Sequence, residues 1–95
     1  MKMHKFLTDG ELDAIEKRIL ATQPAPWRSF VEGRDHTSGA SFIKTGEGAC
    51  SGEDIELTGA TAADQDFIAA ARQDVPLLLK EVRALSALLI HQTQA

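Results

Sequence analysis

The chain has 95 residues and a net charge of −4, which fits one domain spanning 1–95. Its Lys and Arg residues are scattered, which argues against a nucleic-acid-binding surface, and no window approaches the ~18 apolar residues of a membrane span. One cysteine excludes an internal disulfide, and Met1 to Lys5 is not followed by the apolar run of a signal peptide. We therefore expect a cytoplasmic protein.

The first predicted element is an amphipathic helix over 9–22. Thr8 and Glu11 have the spacing of a capping box, in which each residue's side chain accepts a hydrogen bond from the other's main chain. One face of the helix carries Leu12, Ile15 and Ile19. The segment 23–26 contains two prolines and should end the helix.

Pro26 and Trp27 form the corner that follows this helix. Trp27 is the only tryptophan and comes directly after a stiff Pro-Ala-Pro turn. Because tryptophan is highly buried on average, we interpret Trp27 as a structural anchor of the core. The alternative is an exposed residue that stacks on a partner.

Three segments of the middle of the chain alternate between apolar and polar residues. They are 27–32, 40–45 and 54–58, and the polar, glycine-containing stretches 33–39 and 46–52 separate them. Consecutive strands joined by short polar connections usually pair with their neighbours. We therefore predict a three-stranded antiparallel meander.

The last third of the chain holds most of the large aliphatic residues. Thr61 and Asp64 have the spacing of a second capping box, and Pro76 lacks the N–H that a helix interior uses. We predict two helices, 62–73 and 75–92, that meet at Pro76. The alternative is one kinked helix.

The second of these helices carries a heptad-like seam. Its members are Val75, Leu78, Val82, Leu85 and Leu89, at steps of three and four residues. An ordinary core helix explains the seam most simply. The sharper hypothesis makes Leu78, Val82, Leu85 and Leu89 a homodimer interface as well. The seam is shorter than the ~3–4 heptads of a sustained coiled coil, which we do not expect.

The residues that carry chemistry elsewhere make no convincing motif here. The glycine-rich segment 46–52 lacks the Gly-Lys-Ser/Thr ending of a phosphate loop, so we interpret it as a turn. Cys50 with His36 or Asp35 could form a pair of nucleophile and base, but these residues lie in successive loops, which fall at opposite ends of a meander. We predict no catalytic residue.

No metal or cofactor site is expected either. His4, His36 and His91 are far apart in the sequence and have no ligand-like spacing. A small basic patch of Arg28, Arg34 and Lys44 is better explained as the solvated face of the sheet.

Two segments resemble a widespread group of small bacterial and phage or prophage proteins that includes the Ead-type early proteins of lambdoid phages. The first, 12–27, is a helix followed by Ala-Thr-x-Pro-x-Pro-Trp, and the second, 63–79, contains Asp-x-x-Phe-Ile-Ala-Ala-Ala-Arg-x-Asp-Val-Pro-x-Leu-Leu. The shared residues include Pro26, Trp27, Phe67 and Pro76, which we interpret as structural anchors. The resemblance implies a cytoplasmic accessory protein and transfers no active-site residue.

Together these features predict an α+β fold with an N-terminal helix, a three-stranded antiparallel sheet and two C-terminal helices on one face of the sheet. The function that fits best is a non-enzymatic interaction module, which forms a homodimer through its C-terminal helix and engages a host or phage protein. Two alternatives remain open. One is an immunity or antitoxin-like inhibitor of a basic enzyme, for which small size and acidity are suitable. The other is a small enzyme built on Cys50 and His36.

Overall fold

The computed structural model describes residues 5–93. Its first element is α1 (Asp9–Leu20), which begins at the predicted capping box. The Thr8 hydroxyl accepts a hydrogen bond from the Glu11 N–H at 3.1 Å, and the Glu11 carboxylate accepts one from the Thr8 N–H at 3.0 Å. The helix ends at Leu20, two residues before the predicted end.

The sheet consists of two antiparallel strands, β1 (Trp27–Phe30) and β2 (Phe42–Thr45). Trp27 lies opposite Thr45, and Phe30 lies opposite Phe42 with the two rings stacked at 5.4 Å. Both strands are shorter than predicted. β1 ends early because the chain turns at once, with the Asp35 carboxylate accepting a hydrogen bond from the Val31 N–H at 2.8 Å.

The predicted third strand, 54–58, is reduced to one residue. Ile55 exchanges two main-chain hydrogen bonds with Ile43 of β2, at 2.8 and 2.9 Å, and the pairing stops there. A 3₁₀ turn (Gly48–Cys50) precedes it, and the chain then enters a turn at Thr58 and Gly59. The polypeptide therefore crosses the outer edge of β2 instead of following it.

Two glycines let this turn fold tightly against β2. Gly46 has a φ of +71°, and a Cβ at this position would collide with the main chain of Cys50. A Cβ at Gly52 would collide with the side chains of Gln23 and Thr45. The glycine-rich segment is thus a close-packed turn.

The C-terminal element is a single helix, α2 (Ala62–Thr93), which continues through Pro76. The prediction of two helices was wrong here. A proline inside a helix removes one hydrogen bond and costs ~3 kcal/mol, but α2 is held by the rest of the chain on both sides of Pro76. Gln73 binds β1 before the proline, and Arg83 pairs with α1 after it. These contacts attach α2 to β1 and to α1 on the two sides of the proline.

The interior of the fold is thin. Among residues 5–93, the buried apolar side chains are Leu12, Ile43, Ala69 and Leu79. α2 packs on β1 in its N-terminal half and on α1 further along, and it contacts β2 less. The radius of gyration is 17.7 Å, against about 12 Å for a compact domain of this length. The chain is elongated, and α2 is its axis.

The fold therefore belongs to the α+β class, but the predicted architecture of three strands and three helices was wrong. Over residues 5–93 the structure has two helices and a two-stranded antiparallel sheet. Two physical causes account for the difference. The predicted third strand turns away from the sheet after the single pair between Ile55 and Ile43. The contacts of α2 on both sides of Pro76 outweigh the tendency of proline to end a helix.

Candidate functional site

The face of α2 that contacts the rest of the chain combines the buried Ala69 and Leu79 with several polar side chains. Gln73 lies beside the outer edge of β1 and makes two hydrogen bonds to one residue of the strand. Its amide oxygen accepts from the Trp27 N–H at 2.7 Å, and its amide nitrogen donates to the Trp27 carbonyl at 3.1 Å. The side chain thus occupies the place that a neighbouring strand would take.

A second glutamine attaches the same face to the other end of the hairpin. Gln65 is 4% exposed, and its amide nitrogen lies within hydrogen-bonding distance of the Ser29 hydroxyl and of the carbonyls of Phe30 and Phe42. Ala69, one turn from each glutamine, is 3% exposed. Its small side chain lets the helix approach the sheet closely enough for both amides to reach the main chain.

Charged groups continue this inner face beyond the sheet. Arg72 donates to the Thr22 hydroxyl at 2.8 Å, and Arg83 donates to Asp13 at 3.0 Å and to Glu16 at 3.2 Å. The hydrogen bond to Asp13 raises the pKa of Arg83, and the charge of Glu16 adds to the effect. Polar and ionic contacts therefore hold much of the inner face of α2.

Another face of α2 is apolar and mostly exposed. We call it the outward stripe, and it consists of Ile68, Ala71, Val75, Leu78, Val82, Leu85 and Leu89. Its residues recur at steps of three and four, so they follow one another along a single face of the helix. Leu78 is 63% exposed, Leu85 56% and Leu89 47%. The stripe extends over roughly 32 Å of helix at 1.5 Å per residue.

Further apolar residues border the stripe. Phe67 is 74% exposed, and Leu88 is 53% exposed. Phe67 and Ile68 also line a shallow groove with Leu57 and Ala60, which belong to the segment that leads into α2. The apolar surface is therefore wider than one row of side chains.

The four residues that the sequence analysis proposed as an interface all lie in the outward stripe. They are Leu78, Val82, Leu85 and Leu89. Ile68 and Ala71 were not predicted as interface residues, because the first predicted helix ended at residue 73 and the seam was confined to the second helix. Because α2 is one continuous helix, Ile68 and Ala71 extend the three-and-four spacing of the stripe towards the N-terminus of the helix.

The proposed structural anchors have different environments. Pro26, which follows a cis peptide bond, and Trp27 are both half-buried, and the Trp27 indole N–H donates to the Gln23 carbonyl at 3.1 Å. Pro76 is half-buried beside Ile19 of α1. Phe67 differs, because most of its ring does not pack within the chain.

The structure does not bring Cys50 and His36 together. Cys50 is exposed in the turn after β2, beyond the Thr45 end of the hairpin. His36 is half-buried at the other end, where its ring lies 5.2 Å from that of Phe42, and its Nδ1 is 2.6 Å from the Ser38 hydroxyl. The two-stranded sheet separates them.

The arginines of the predicted basic patch face carboxylates. Arg28 pairs with Glu47, and Arg34 pairs with both Asp35 and Asp66 at 2.8 Å. The hydrogen bond from Arg34 lowers the pKa of Asp66 to about 2, and it also lowers the pKa of Asp35. Arg34 therefore joins the β1–β2 turn to the start of α2.

Residues 5–93 contain no group of three or more His, Cys, Asp or Glu side chains placed to hold a metal ion. His4 lies outside the described residues. Within the same range, neither helix combines the length and the apolar character that a membrane crossing requires.

Comparison of the chain with models of protein families, with curated proteins and with solved structures gave no match. The grouping with Ead-type phage proteins stays a prediction.

Proposed function

We propose that this protein is a non-enzymatic interaction module that forms a homodimer through the outward stripe of α2. The observation that supports the proposal is the reversal of polarity across this helix. Gln65, Gln73 and Arg83 face the chain's own elements, while Leu78 and Leu85 face away from them. Burial of apolar surface is the main driving force of association, so the apolar face is the one that a partner covers.

The amount of exposed apolar surface has the right magnitude for this role. Fully burying one large aliphatic side chain contributes ~1.5–3 kcal/mol at ~25 cal/mol per Å², which corresponds to roughly 60–120 Å² each. Six such side chains at about half exposure leave on the order of 300 Å² in the stripe, before Phe67 and Leu88 are added. Patches of this size on a monomer often mark an interaction site.

A second copy of the chain is the partner that these observations favour. The stripe is a heptad-like row, and such a row is self-complementary because its projecting side chains fit between those of an identical row. A stable interface buries ~800 Å² on each partner, so the stripe, Phe67, Leu88 and the polar residues beside them contribute together. A cytoplasmic location and an accessory role in a phage or prophage, in which the dimer engages a host or phage protein, belong to the same proposal.

The experiment that tests the proposal is a measurement of molar mass by light scattering on a sizing column. The wild-type chain is expected at the mass of two chains of 10.3 kDa each. Leu85→Glu places a charge in the C-terminal half of the stripe and is expected to yield one chain, with helical content retained by circular dichroism. A buried unpaired charge is strongly disfavoured, which is why one substitution suffices.

The matched control is Ala84→Glu, since Ala84 is an exposed neighbour that lies off the stripe. This variant introduces the same charge and is expected to keep the wild-type mass. A wild-type chain that elutes as a monomer at high concentration contradicts the proposal. So does an equal loss of association in both variants.

A further inference from the structure

We propose that the two copies of α2 pair in parallel and in register, as a two-stranded coiled coil whose seam is the outward stripe. This inference rests on the proposed function and adds the orientation of the partner. It also places both sheets at the same end of the dimer, because each sheet packs on the N-terminal half of its own α2.

The continuity of α2 makes the seam long enough. With Ile68 at heptad position a, the a positions are Ile68, Val75, Val82 and Leu89, and the d positions are Ala71, Leu78 and Leu85. The seam thus extends over three heptads, which reaches the length at which sustained coiled coils form.

The residue types at these positions favour two strands. Three of the four a positions are β-branched, and two of the three d positions are leucine. Within parallel coiled coils, β-branched residues at a with leucine at d favour two strands over three or four, because the two positions pack their side chains at different angles to the partner helix. Ala71 is the one small residue of the seam.

The inner contacts of α2 leave the seam available. Ala69, Pro76 and Arg83 occupy b positions, and Gln65, Arg72 and Leu79 occupy e positions, and all six lie on the side that faces α1 or the sheet. A partner helix therefore meets the a, d and g positions without displacing α1 or the hairpin.

The acidic residues at g distinguish the two orientations. Asp74 and Glu81 are g residues, and in a parallel pair the g residues of the two chains lie on opposite flanks of the seam, away from each other. In an antiparallel pair, g residues face each other. The two antiparallel registers that align most of the stripe place Asp74 against Glu81, or Glu81 against its own copy. Like charges in contact are unfavourable, so the charge pattern disfavours both registers.

The number of matched layers points the same way. A parallel pair in register aligns all seven stripe residues with their own copies. Each of the two antiparallel registers matches six and places the seventh against a polar residue, Asp64 or Gln92. The parallel arrangement alone uses the whole apolar row.

Disulfide trapping in a Cys50→Ser background tests the orientation. Leu89→Cys is expected to form a covalent dimer with itself under mild oxidation, because a disulfide needs the two Cα atoms within ~7 Å. In an antiparallel pair, residue 89 lies opposite a position near 71 or 64, roughly 27 Å or more from its own copy at 1.5 Å per residue. Ala84→Cys lies off the seam and is the control that should not be trapped.

Mixed samples report the opposite orientation directly. Ala71→Cys with Leu89→Cys, and Ile68→Cys with Leu85→Cys, are the two pairs that antiparallel registers bring together, with one chain of each pair carrying a mass tag. Trapped heterodimers without Leu89→Cys homodimers would overturn the parallel arrangement and leave the proposed dimer intact. The mass of each variant is also measured under reducing conditions, where no disulfide holds the chains together. Monomers under these conditions would overturn both the dimer and its parallel orientation.

Discussion

The inner and outer faces of α2 differ in a way that is the reverse of an ordinary surface helix. The inner face holds the chain together with the amides of Gln65 and Gln73 and with the guanidinium of Arg83. The outer face carries the larger aliphatic side chains and leaves Leu78 and Leu85 more than half exposed. In a helix that serves only its own domain, the apolar stripe faces the core.

This difference separates two tasks along one helix. The inner face is attached by hydrogen bonds that need a particular geometry, so it fixes how the hairpin and α1 sit on α2. The outer face offers non-directional burial, which suits association with another apolar surface. A chain that buries little apolar surface in its own core can therefore gain stability when a second copy covers the stripe.

The largest expected effect comes from the small apolar core that the inner face does have. Leu12 is 1% exposed and belongs to α1, which packs on α2. Leu12→Ala is expected to lower the free energy of unfolding by about 2–5 kcal/mol, since it leaves a cavity. Urea denaturation at one fixed protein concentration measures the change. Leu20→Ala is the control, because Leu20 is on the same helix and 74% exposed. Equal losses in the two variants would contradict the assigned core.

The next effect concerns the polar attachment of the sheet. Gln73→Ala leaves the N–H and carbonyl of Trp27 without their partner, and an unsatisfied buried polar group costs about 1–3 kcal/mol. We expect a loss of that size in the free energy of unfolding and faster hydrogen exchange at the Trp27 amide. Lys80→Ala, at an exposed position on α2, is expected to change neither. An unchanged exchange rate in Gln73→Ala would mean that the edge of β1 is covered in another way.

Two neighbouring leucines on the exposed surface of α2 should differ in their effect on association. Leu77 and Leu78 are adjacent and nearly equally exposed in the single chain, at 65% and 63%, but only Leu78 belongs to the stripe. Association makes the melting temperature rise with protein concentration. Leu78→Ala is expected to weaken association by at least about tenfold and to flatten this rise, because burial of the side chain contributes ~1.5–3 kcal/mol. Leu77→Ala should keep the wild-type slope. Identical slopes in the two variants would count against the stripe.

The smallest effect is electrostatic and concerns the link between the hairpin turn and α2. The hydrogen bond from Arg34 holds the pKa of Asp66 at about 2 in the folded chain, below the ~3.9 of an unperturbed aspartate. Because the folded pKa is the lower one, the ion pair stabilises the folded chain above pH ~4, and this contribution is lost as the pH falls towards 2. Titration of the Asp66 carboxyl by NMR should show a midpoint near 2. In Arg34→Gln the midpoint should move upward, and a wild-type midpoint near 4 would contradict the pairing.

Local signals in the sequence predicted the helix starts correctly. The capping boxes at Thr8 and at Thr61 both form with the predicted partners, because a cap involves only residues three apart. The heptad-like seam of the C-terminal helix was also visible, since spacing alone defines it. Whether a second chain covers the seam stays a prediction.

The errors arose where distant contacts decide the structure. Pro76 disfavours a helix locally, but Gln73 and Arg83 bind β1 and α1 on either side of it, and no local pattern shows this. The segment 54–58 alternates like a strand, but only Ile55 pairs because the chain turns towards α2 soon afterwards. The only sequence feature that indicated the contacts of Gln65 and Gln73 with the sheet was their placement one helical turn on each side of a small alanine.

A second copy that covers the outward stripe in solution shields a thiol placed there, and the rate of thiol alkylation measures this protection. In a Cys50→Ser background under reducing conditions, Leu85→Cys reports on the stripe and Ala84→Cys on the neighbouring surface. At high protein concentration, we expect the thiol of Leu85→Cys to react at least about tenfold more slowly than that of Ala84→Cys, because alkylation requires an accessible thiol. Dilution should remove the difference between the two rates. Equal rates for the two thiols at every concentration would show that the stripe is uncovered and would contradict the account.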